Sequence, residues 1–338
     1  MNNSILTVVV PCYNEEEVLS ETTKRLSQLL DEMKKDGLVS EKSNILYVDD
    51  GSKDTTWKII EAYTKENASI TGLKLSRNFG HQGALLAGLE TAYQYADCVV
   101  SIDADLQDDI QAIREFIIKF NEGYEVVYGV RDKRDTDTPF KRRTALAFYG
   151  FMGKMGVKLV PNHADFRLLS KRALGEFLQF REENMFIRGI IPLLGFKSTN
   201  VFYNRAERFA GESKYPLKKM INFALDGITS FSIVPIRFVA IMGFIVTFIS
   251  ILMGIYALVQ RLVGDVVSGW SSIILSIWFI GGVQLLAMGV IGEYIGKIFK
   301  ETKRRPRFTI EMDLYSLQMT EGKESPYSEV HRYKETVK

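Results

Sequence analysis

Two apolar runs near the C-terminal end limit the possible folds more than any other feature of this chain. From about Val234 to Leu262, and again from about Ser271 to Phe299, nearly every residue is apolar. At a helical rise of about 1.5 Å per residue, each run is longer than the hydrocarbon core of a bilayer, about 30 Å, is thick. They predict two transmembrane helices. Val263 to Trp270 between them is too short for a domain, so the pair reads as a hairpin with both ends on one side. Lys214, Lys218, Lys219 and Arg237 precede it and Lys297, Lys300, Lys303, Arg304, Arg305 and Arg307 follow it, while the turn carries Arg261 and Asp265. The positive-inside rule then places both termini in the cytoplasm. Met220 to Phe231, apolar on one face with Lys218, Lys219 and Asp226 elsewhere, predicts a helix lying along the interface. Glu293 is placed at headgroup water beside Lys297.

The rest of the chain is different in character. Mean hydropathy over all 338 residues is -0.02, an average of a charged region and an apolar one. The formal charge of +2, from 43 Lys and Arg against 41 Asp and Glu, gives no global basic field and argues against nucleic-acid binding. Cys12 and Cys98 lack CxxC spacing and sit in or beside apolar runs, which suits reduced core thiols in a cytosolic domain. Met1 to Val10 has no basic n-region and predicts no secretory signal.

Within that region, short β-branched runs alternate with helical patterns. Ile5 to Val10 ends at Pro11 and is followed by Tyr13-Asn14-Glu15 and a helix with Leu19, Leu26, Leu29, Leu30 and Met33 on one face. Asn44 to Val48 is broken by Asp49-Asp50-Gly51-Ser52, after which Asp54 and Thr55 can cap a helix carrying Trp57, Ile60 and Tyr63. Thr71 to Leu75 leads into Arg77-Asn78-Phe79-Gly80 and a small-residue helix, and Cys98 to Ile102 ends at Asp103. This alternation predicts an α/β, Rossmann-like domain with a mostly parallel sheet covered on both faces. Ligands collect at the carboxyl ends of such strands, and all four polar clusters fall there. Residues 131–143 are charged and apolar-poor and read as a mobile loop that could act as a lid. Phe308 to Leu314 alternates like a short strand, and Lys323 to Lys338 reads as disordered.

Asp103-Ala104-Asp105 puts two carboxylates on one side of an extended segment, an arrangement that can hold a hard divalent cation, and Gln107 can add a carbonyl oxygen. No Cys or His cluster has zinc spacing, so Mg²⁺ or Mn²⁺ is the expected ion. GxxxxGK[ST], GxGxxG after the first strand and GxSxG are all missing, which argues against a P-loop NTPase, a dinucleotide enzyme and a serine hydrolase. A nucleotide diphosphate held through a metal remains.

Val10-Pro11-Cys12-Tyr13-Asn14-Glu15, Val48-Asp49-Asp50-Gly51-Ser52-Lys53-Asp54-Thr55 and Asp103-Ala104-Asp105-Leu106-Gln107 together resemble the ordered signature of family 2 glycosyltransferases with the GT-A fold. Arg77-Asn78-Phe79-Gly80, Ala164-Asp165-Phe166-Arg167-Leu168-Leu169 and Phe209-Ala210-Gly211-Glu212-Ser213-Lys214-Tyr215, with two C-terminal membrane helices, resemble the polyprenyl-phosphate branch. That branch includes undecaprenyl-phosphate glucosyltransferases and dolichyl-phosphate mannose synthases. The resemblance covers about residues 5–307.

It implies a UDP-sugar donor, of glucose or N-acetylglucosamine type, and a polyprenyl phosphate acceptor in the lipid. Pro11, Tyr13, Glu15 and Asp50 would shape the uridine pocket, with Arg77 near the nucleotide. Asp103 would face the ribose and the metal shell, and Asp105 and Gln107 would hold the metal. Asp165 is the position marked as catalytic, as a base or as an orienting group, with Asp105 as the second catalytic carboxylate. Arg131, Arg167, Arg208, Ser213 and Lys214 would bind the acceptor phosphate. His81 and His163 are assigned no catalytic role, and Gly80, Gly83 and Gly88 are read as helix-packing glycines.

The expected division is a cytosolic catalytic domain over 1–215, an interfacial region over 216–233, transmembrane helices within 234–300 and a cytosolic strand and tail over 301–338. The resemblance further implies a bacterial plasma-membrane protein and a homotetramer in which the Phe308 to Leu314 strand could pair between chains. A separate flippase and a downstream glycosyltransferase would handle the product. Two other readings stay open at this level: a processive polysaccharide synthase, although QxxRW is missing, and a catalytically inactive membrane accessory subunit.

Overall fold

Continuous β-branched runs without polar alternation form strands that are buried on both faces, and the first two strands are built this way. In the computed structural model, which describes residues 4–131, 163–182, 187–204, 234–263 and 269–320, every residue of β1 (Leu6–Cys12) and β2 (Asn44–Asp49) is buried. With β3 (Ile70–Leu75), β4 (Cys98–Ser101), β5 (Val126–Arg131), β6 (His163–Ser170), β7 (Ser198–Tyr203) and β8 (Ile310–Asp313) they form one sheet in the order β7-β5-β6-β4-β1-β2-β3-β8. The β3-β2-β1-β4 half is wholly parallel, as the alternation with helices requires. β6 and β8 run against the other six strands. This is the mostly parallel GT-A sheet expected from the sequence.

The antiparallel β6 places the functional site. Because it lies between β4 and β5 and runs the opposite way, its first residues sit at the carboxyl ends of its neighbours, with Arg167 opposite Ser101 on one side and Tyr128 on the other. A segment late in the chain thereby joins the strand-end loops that come early.

Helices α1 (Leu19–Lys35), α2 (Thr56–Glu66), α3 (His81–Tyr93) and α4 (Ala112–Asn121) cover the sheet, followed by α5 (Lys171–Phe177) and the short α6 (Ile187–Ile190). The small residues of α3 let it approach the sheet closely. A Cβ on Gly88 would lie 2.4 Å from Val9 Cγ1 and 2.8 Å from Val48 Cγ2. Gly80 differs from the packing role expected of it: it precedes α3 at φ +86° with open space around its Cα, so backbone conformation rather than close packing selects glycine there.

Residues 305–320 group with the catalytic unit, which also contains the described residues from 4 to 204. β8 pairs with β3 of the same chain, Leu73 opposite Asp313 and Leu75 opposite Ile310, and is the last strand on that side of the sheet. An open edge with a matching strand in reach is satisfied intramolecularly. After it, in α9 (Leu314–Met319), the fully buried Tyr315 places its hydroxyl 3.0 Å from Thr7 Oγ1.

The second unit contains α7 (Val234–Val263) and α8 (Trp270–Lys303), two helices long and apolar enough to cross a membrane by length and composition. Phe244, Leu285 and Leu286 are each more than 70% exposed, a state suited to lipid rather than water. α8 stops at Arg304, whose φ of +47° ends the helix two residues before Pro306. The interfacial helix, the 131–143 loop beyond Arg131 and the polar tail lie outside the described residues.

Replacing Gly88 by alanine should destabilise the catalytic unit by about 1–3 kcal/mol, because Val9 and Val48 must move. Thermal unfolding of the purified, detergent-solubilised protein checks this, and an unchanged midpoint would show that α3 has room the geometry denies.

Candidate active site

Three strand-end loops are laced into one surface. Asn14, in the left-handed region at φ +55°, accepts the Lys53 N–H on its side-chain oxygen at 2.9 Å, and its own N–H donates to Ser52 Oγ at 3.0 Å. Glu15 N–H donates to Thr56 Oγ1 at 2.9 Å, and Glu16 accepts from both the N–H and the hydroxyl of Thr55. The Tyr-Asn-Glu and Asp-Gly-Ser motifs are therefore structural partners. Gly51 joins them to the third loop: φ is +66°, and a Cβ would lie 2.6 Å from the Arg77 carbonyl carbon.

Asp50 fixes that third loop. Its carboxylate accepts N–H bonds from Phe79 at 2.7 Å and Gly80 at 2.9 Å. Burial raises its pKa, and these two donors partly oppose the rise. Pro11, Cys12, Tyr13, Glu15, Asp50, Asn78, His81 and Ala84 line a cleft. Four of the expected nucleotide residues thus meet at one place. Arg77 does not join them: its guanidinium stacks 4.0 Å from the Phe79 ring centre and donates to the Asn78 carbonyl, and Asn78 takes the place in the cleft.

Next to the cleft lies a concentration of charge around Asp165. Its Oδ1 accepts from Arg167 at 2.6 Å and from Arg188 Nε at 3.1 Å, and its Oδ2 accepts from a second Arg188 nitrogen at 2.8 Å. His81 Nε2 lies 3.7 Å from the same Oδ2 and 3.6 Å from Asp103 Oδ1. Burial alone would raise the Asp165 pKa, but Arg188, His81 and Arg167 hold it well below the usual carboxylate range. Partial burial works against charge on His81, yet its contact with Asp165 and the nearby Asp103 carry its pKa up to about 9. The Arg167 side chain, expected to bind the acceptor phosphate, is 2% exposed and pairs with Asp165.

In the acidic loop, Asp103 and Asp105 are partly exposed, and Asp105 Oδ1 accepts the Gln107 N–H at 3.2 Å. Leu106 between them is buried and held at φ +55°, a conformation that costs a non-glycine residue about 1–2 kcal/mol. Burial raises the Asp103 pKa, and His81 opposes that rise. Among the described residues, no group of three or more His, Cys, Asp or Glu side chains has metal-ligating geometry. Two partly exposed carboxylates and an amide on one tight loop still suit a magnesium-type ion, which takes one or two carboxylates and completes its shell with substrate phosphate and water.

At the far end of the sheet, Arg131 donates to Asp108 at 3.2 Å and to the Tyr203 hydroxyl at 3.4 Å, and Tyr203 donates to Asp108 at 2.6 Å. The buried Asp108 thus fixes Arg131 at the end of β5. Arg208, Ser213 and Lys214 lie outside the described residues, as does the side chain of His163.

The family model described as glycosyl transferase family 2 matches residues 7–178, the span that carries the cleft, the acidic loop and Asp165. The chain belongs to this family. It is 57% identical over 316 residues to the glycosyltransferase YkoT of Bacillus subtilis (strain 168), covering 94% of each chain. It is 40% identical over 308 residues to the bactoprenol glucosyl transferase of Shigella phage SfV, covering 90% of this chain and 98% of that one. Among solved structures it is similar to glucosyl-3-phosphoglycerate synthase from Mycobacterium tuberculosis, with a TM-score of 0.43 and 19% identity over 67% of this chain and 78% of that one.

The site of this glycosyltransferase also contains residues that the motifs did not single out. Arg188 belongs to none of the six, and nothing in its local sequence, Phe186-Ile187-Arg188-Gly189, tells it from a surface arginine. Asp108 sits in the run Gln107-Asp108-Asp109, which draws attention to the metal and away from itself. His81, set aside on the sequence, bridges Asp103 and Asp165.

Asp165→Asn should cost about 3–5 kcal/mol at neutral pH, because it leaves the buried Arg167 charge without its counter-ion. A depressed carboxylate pKa contributes stability that is complete above the unfolded value of about 3.9 and is lost as pH falls through the folded one. Denaturant unfolding of the two proteins should therefore differ most near neutrality and converge at strongly acid pH; a gap independent of pH would contradict the ionised assignment.

Proposed function

We propose that this enzyme transfers a hexose from a UDP-sugar to a polyprenyl phosphate, such as undecaprenyl phosphate, at the cytosolic face of a bacterial plasma membrane. The observation that carries this reading is the 40% identity, over nine-tenths of the chain, to proteins named bactoprenol glucosyl transferase. A cleft of carboxylates and backbone donors at the strand ends, in a chain that also has two membrane-length helices, supports it. A soluble sugar nucleotide and an acceptor at headgroup level call for such a chain.

Pro11, Tyr13, Glu15 and Asp50 receive the uridine, with Asn78 added from the cleft wall. Asp103, Asp105 and Gln107 are the residues that hold Mg²⁺ or Mn²⁺. Bound there, the ion supplies Lewis-acid neutralisation of the leaving diphosphate. Arg131, Arg208, Ser213 and Lys214 serve the acceptor phosphate, for which guanidinium geometry is well suited.

A lipid monophosphate has a second pKa of about 6, so its nucleophilic oxygen is already ionised at neutral pH. No strong general base is needed. Asp165, with both oxygens engaged by cations, orients its neighbours instead. In-line attack on the anomeric carbon gives inversion in a single displacement, and positioning contributes most of the acceleration. The 216–233 segment and the hairpin anchor the catalytic domain with both termini cytoplasmic, and a separate protein flips the product.

Membranes containing the protein, supplied with undecaprenyl phosphate, a divalent cation and a panel of radiolabelled UDP-hexoses, should yield label in the organic phase after extraction, and a chelator should remove it. Asp105→Ala should lower transfer by at least about 100-fold while the protein stays in the membrane. No lipid label with any hexose donor would overturn the proposal, and label in polymer would favour a processive synthase.

A further inference from the structure

We propose that Tyr203 is a positioning residue for the acceptor phosphate, acting through Arg131 with Asp108 as its counterpart; this assignment rests on the acceptor role given to Arg131 above. The sheet brings the pair together, because β7 runs parallel to β5 and sets Tyr203 opposite Arg131 at the last step of their ladder. The Tyr203 hydroxyl donates to Asp108 Oδ1 at 2.6 Å and accepts from Arg131 Nε at 3.4 Å, and Arg131 Nη2 donates to the same carboxylate oxygen at 3.2 Å. Each of the three side chains therefore touches the other two. A guanidinium held at two of its nitrogens keeps its plane before any substrate arrives, which is the preorganisation that planar recognition of phosphate requires. Its Nη1 lies outside this clamp, and the Arg131 side chain is 27% exposed against 2% for Asp108. Asp108 is the buried end of the group and Arg131 the end that meets solvent.

The ring of Tyr203 fixes its hydroxyl. Tyr203 is buried and meets Phe166 edge-on, with ring centres 5.3 Å apart and planes at 81°. Gly129 leaves the room for this, since a Cβ there would lie 3.1 Å from Tyr203 Cε1 and 2.8 Å from the Phe166 carbonyl oxygen. Packing explains an aromatic ring at this position, and phenylalanine would satisfy it. The hydroxyl is what packing leaves unexplained: a buried phenol calls for hydrogen-bond partners, and the two it has are Asp108 and Arg131. Asp108 follows Gln107 directly and Phe166 follows Asp165, so the clamp stands on the acidic loop and on the strand that carries Asp165. Arg131 is thus placed relative to both by side chains, and not by the end of β5 alone.

The test is a double-mutant cycle on the full-length protein in lipid nanodiscs, with Tyr203→Phe, Arg131→Ala and the two together. Kinetics with the active UDP-sugar and undecaprenyl phosphate are measured beside thermal unfolding. Tyr203→Phe alone should raise the KM for the lipid by about tenfold and leave the KM for the UDP-sugar within about twofold of wild type. In the Arg131→Ala background it should add less than about twofold, because the residue through which it acts is gone. A tyrosine that serves only the core would lower the unfolding midpoint and give equal factors in both backgrounds, or none in either, and each of these kinetic results overturns the proposal. A rise confined to the KM for the UDP-sugar overturns it as well. Arg131→Ala with kcat and both KM values within about threefold of wild type removes the role on which the proposal rests and overturns it too. If Tyr203→Phe does not fold, Asp108→Asn takes its place in the same cycle with the same expected and overturning results. Wild-type protein that transfers no sugar to lipid overturns the functional reading instead. The clamp is then judged by calorimetric binding of farnesyl phosphate, a short prenyl phosphate: binding weakened by about fivefold in Tyr203→Phe supports it, and equal affinity in wild type and Tyr203→Phe overturns it.

Discussion

A single buried carboxylate organises the reaction side of this molecule. Asp165 accepts bonds from Arg167 and Arg188 and faces His81, so groups from β6, α6 and the start of α3 are fixed relative to one another through two oxygen atoms. The desolvation of such a cluster is repaid only when geometry is good and the remaining polar atoms are satisfied. The backbone helps: Ser101 Oγ donates to the Asp165 carbonyl, so β4 and β6 are joined by a side chain as well as by their ladder. An ionised carboxylate held in this way is a poor proton acceptor and a good scaffold. For an acceptor that arrives already ionised, a scaffold is what the reaction lacks.

The donor side follows a second rule, that a loop can be rigid without being secondary structure if its backbone groups are bonded to side chains of a neighbouring loop. Asn14 and Glu16 bind the backbone of the Ser52 to Thr55 loop, and Asp50 binds the backbone of Phe79 and Gly80. Gly51 allows the close approach that brings the Arg77 loop into the group. The acidic and amide residues of these motifs therefore shape the cleft even where they contact no ligand. Mutational loss at Asn14, Glu16 or Asp50 would combine loop disorder with lost binding.

Much of this was legible in the sequence. Leu6 to Cys12, Asn44 to Asp49 and Ile70 to Leu75 are β-branched runs ending in polar turns, and their parallel pairing follows from the helices between them. The nucleotide loops stood out because they follow strands. What could not be read depended on tertiary placement. β6 looks like a motif rather than a strand, and its antiparallel insertion between β4 and β5 has no local signal, since β5 ends at Arg131 and β6 begins only at His163, too far on for a hairpin turn. Arg188 and Asp108 acquire meaning only from the residues they meet, 23 positions from Asp165 in one case and 23 from Arg131 in the other. The pairing of Arg167 with Asp165 was hidden for the same reason: an arginine in an apolar strand is either exposed or paired, and only the fold tells which.

The path of the chain bears on how an enzyme with two membrane-length helices keeps its cleft in order. The two long apolar helices are an insertion, because residues 305–320 return to the catalytic unit and complete its sheet. β8 closes the edge of β3, and one residue further on the Ser76 N–H donates to the Thr309 carbonyl at 2.9 Å, immediately before the Arg77 to Gly80 loop. Arg307 donates to the Phe180 carbonyl at 3.0 Å and lies 3.8 Å from Glu90 of α3. The strand that follows α8 is thus bonded directly to the base of a loop that lines the cleft. A tail would leave β3 with an open edge and the loop after it without this support. Returning the chain gives that loop support from both sides, so the segment after the two long apolar helices supports the cleft as much as the motifs at the start of the chain do.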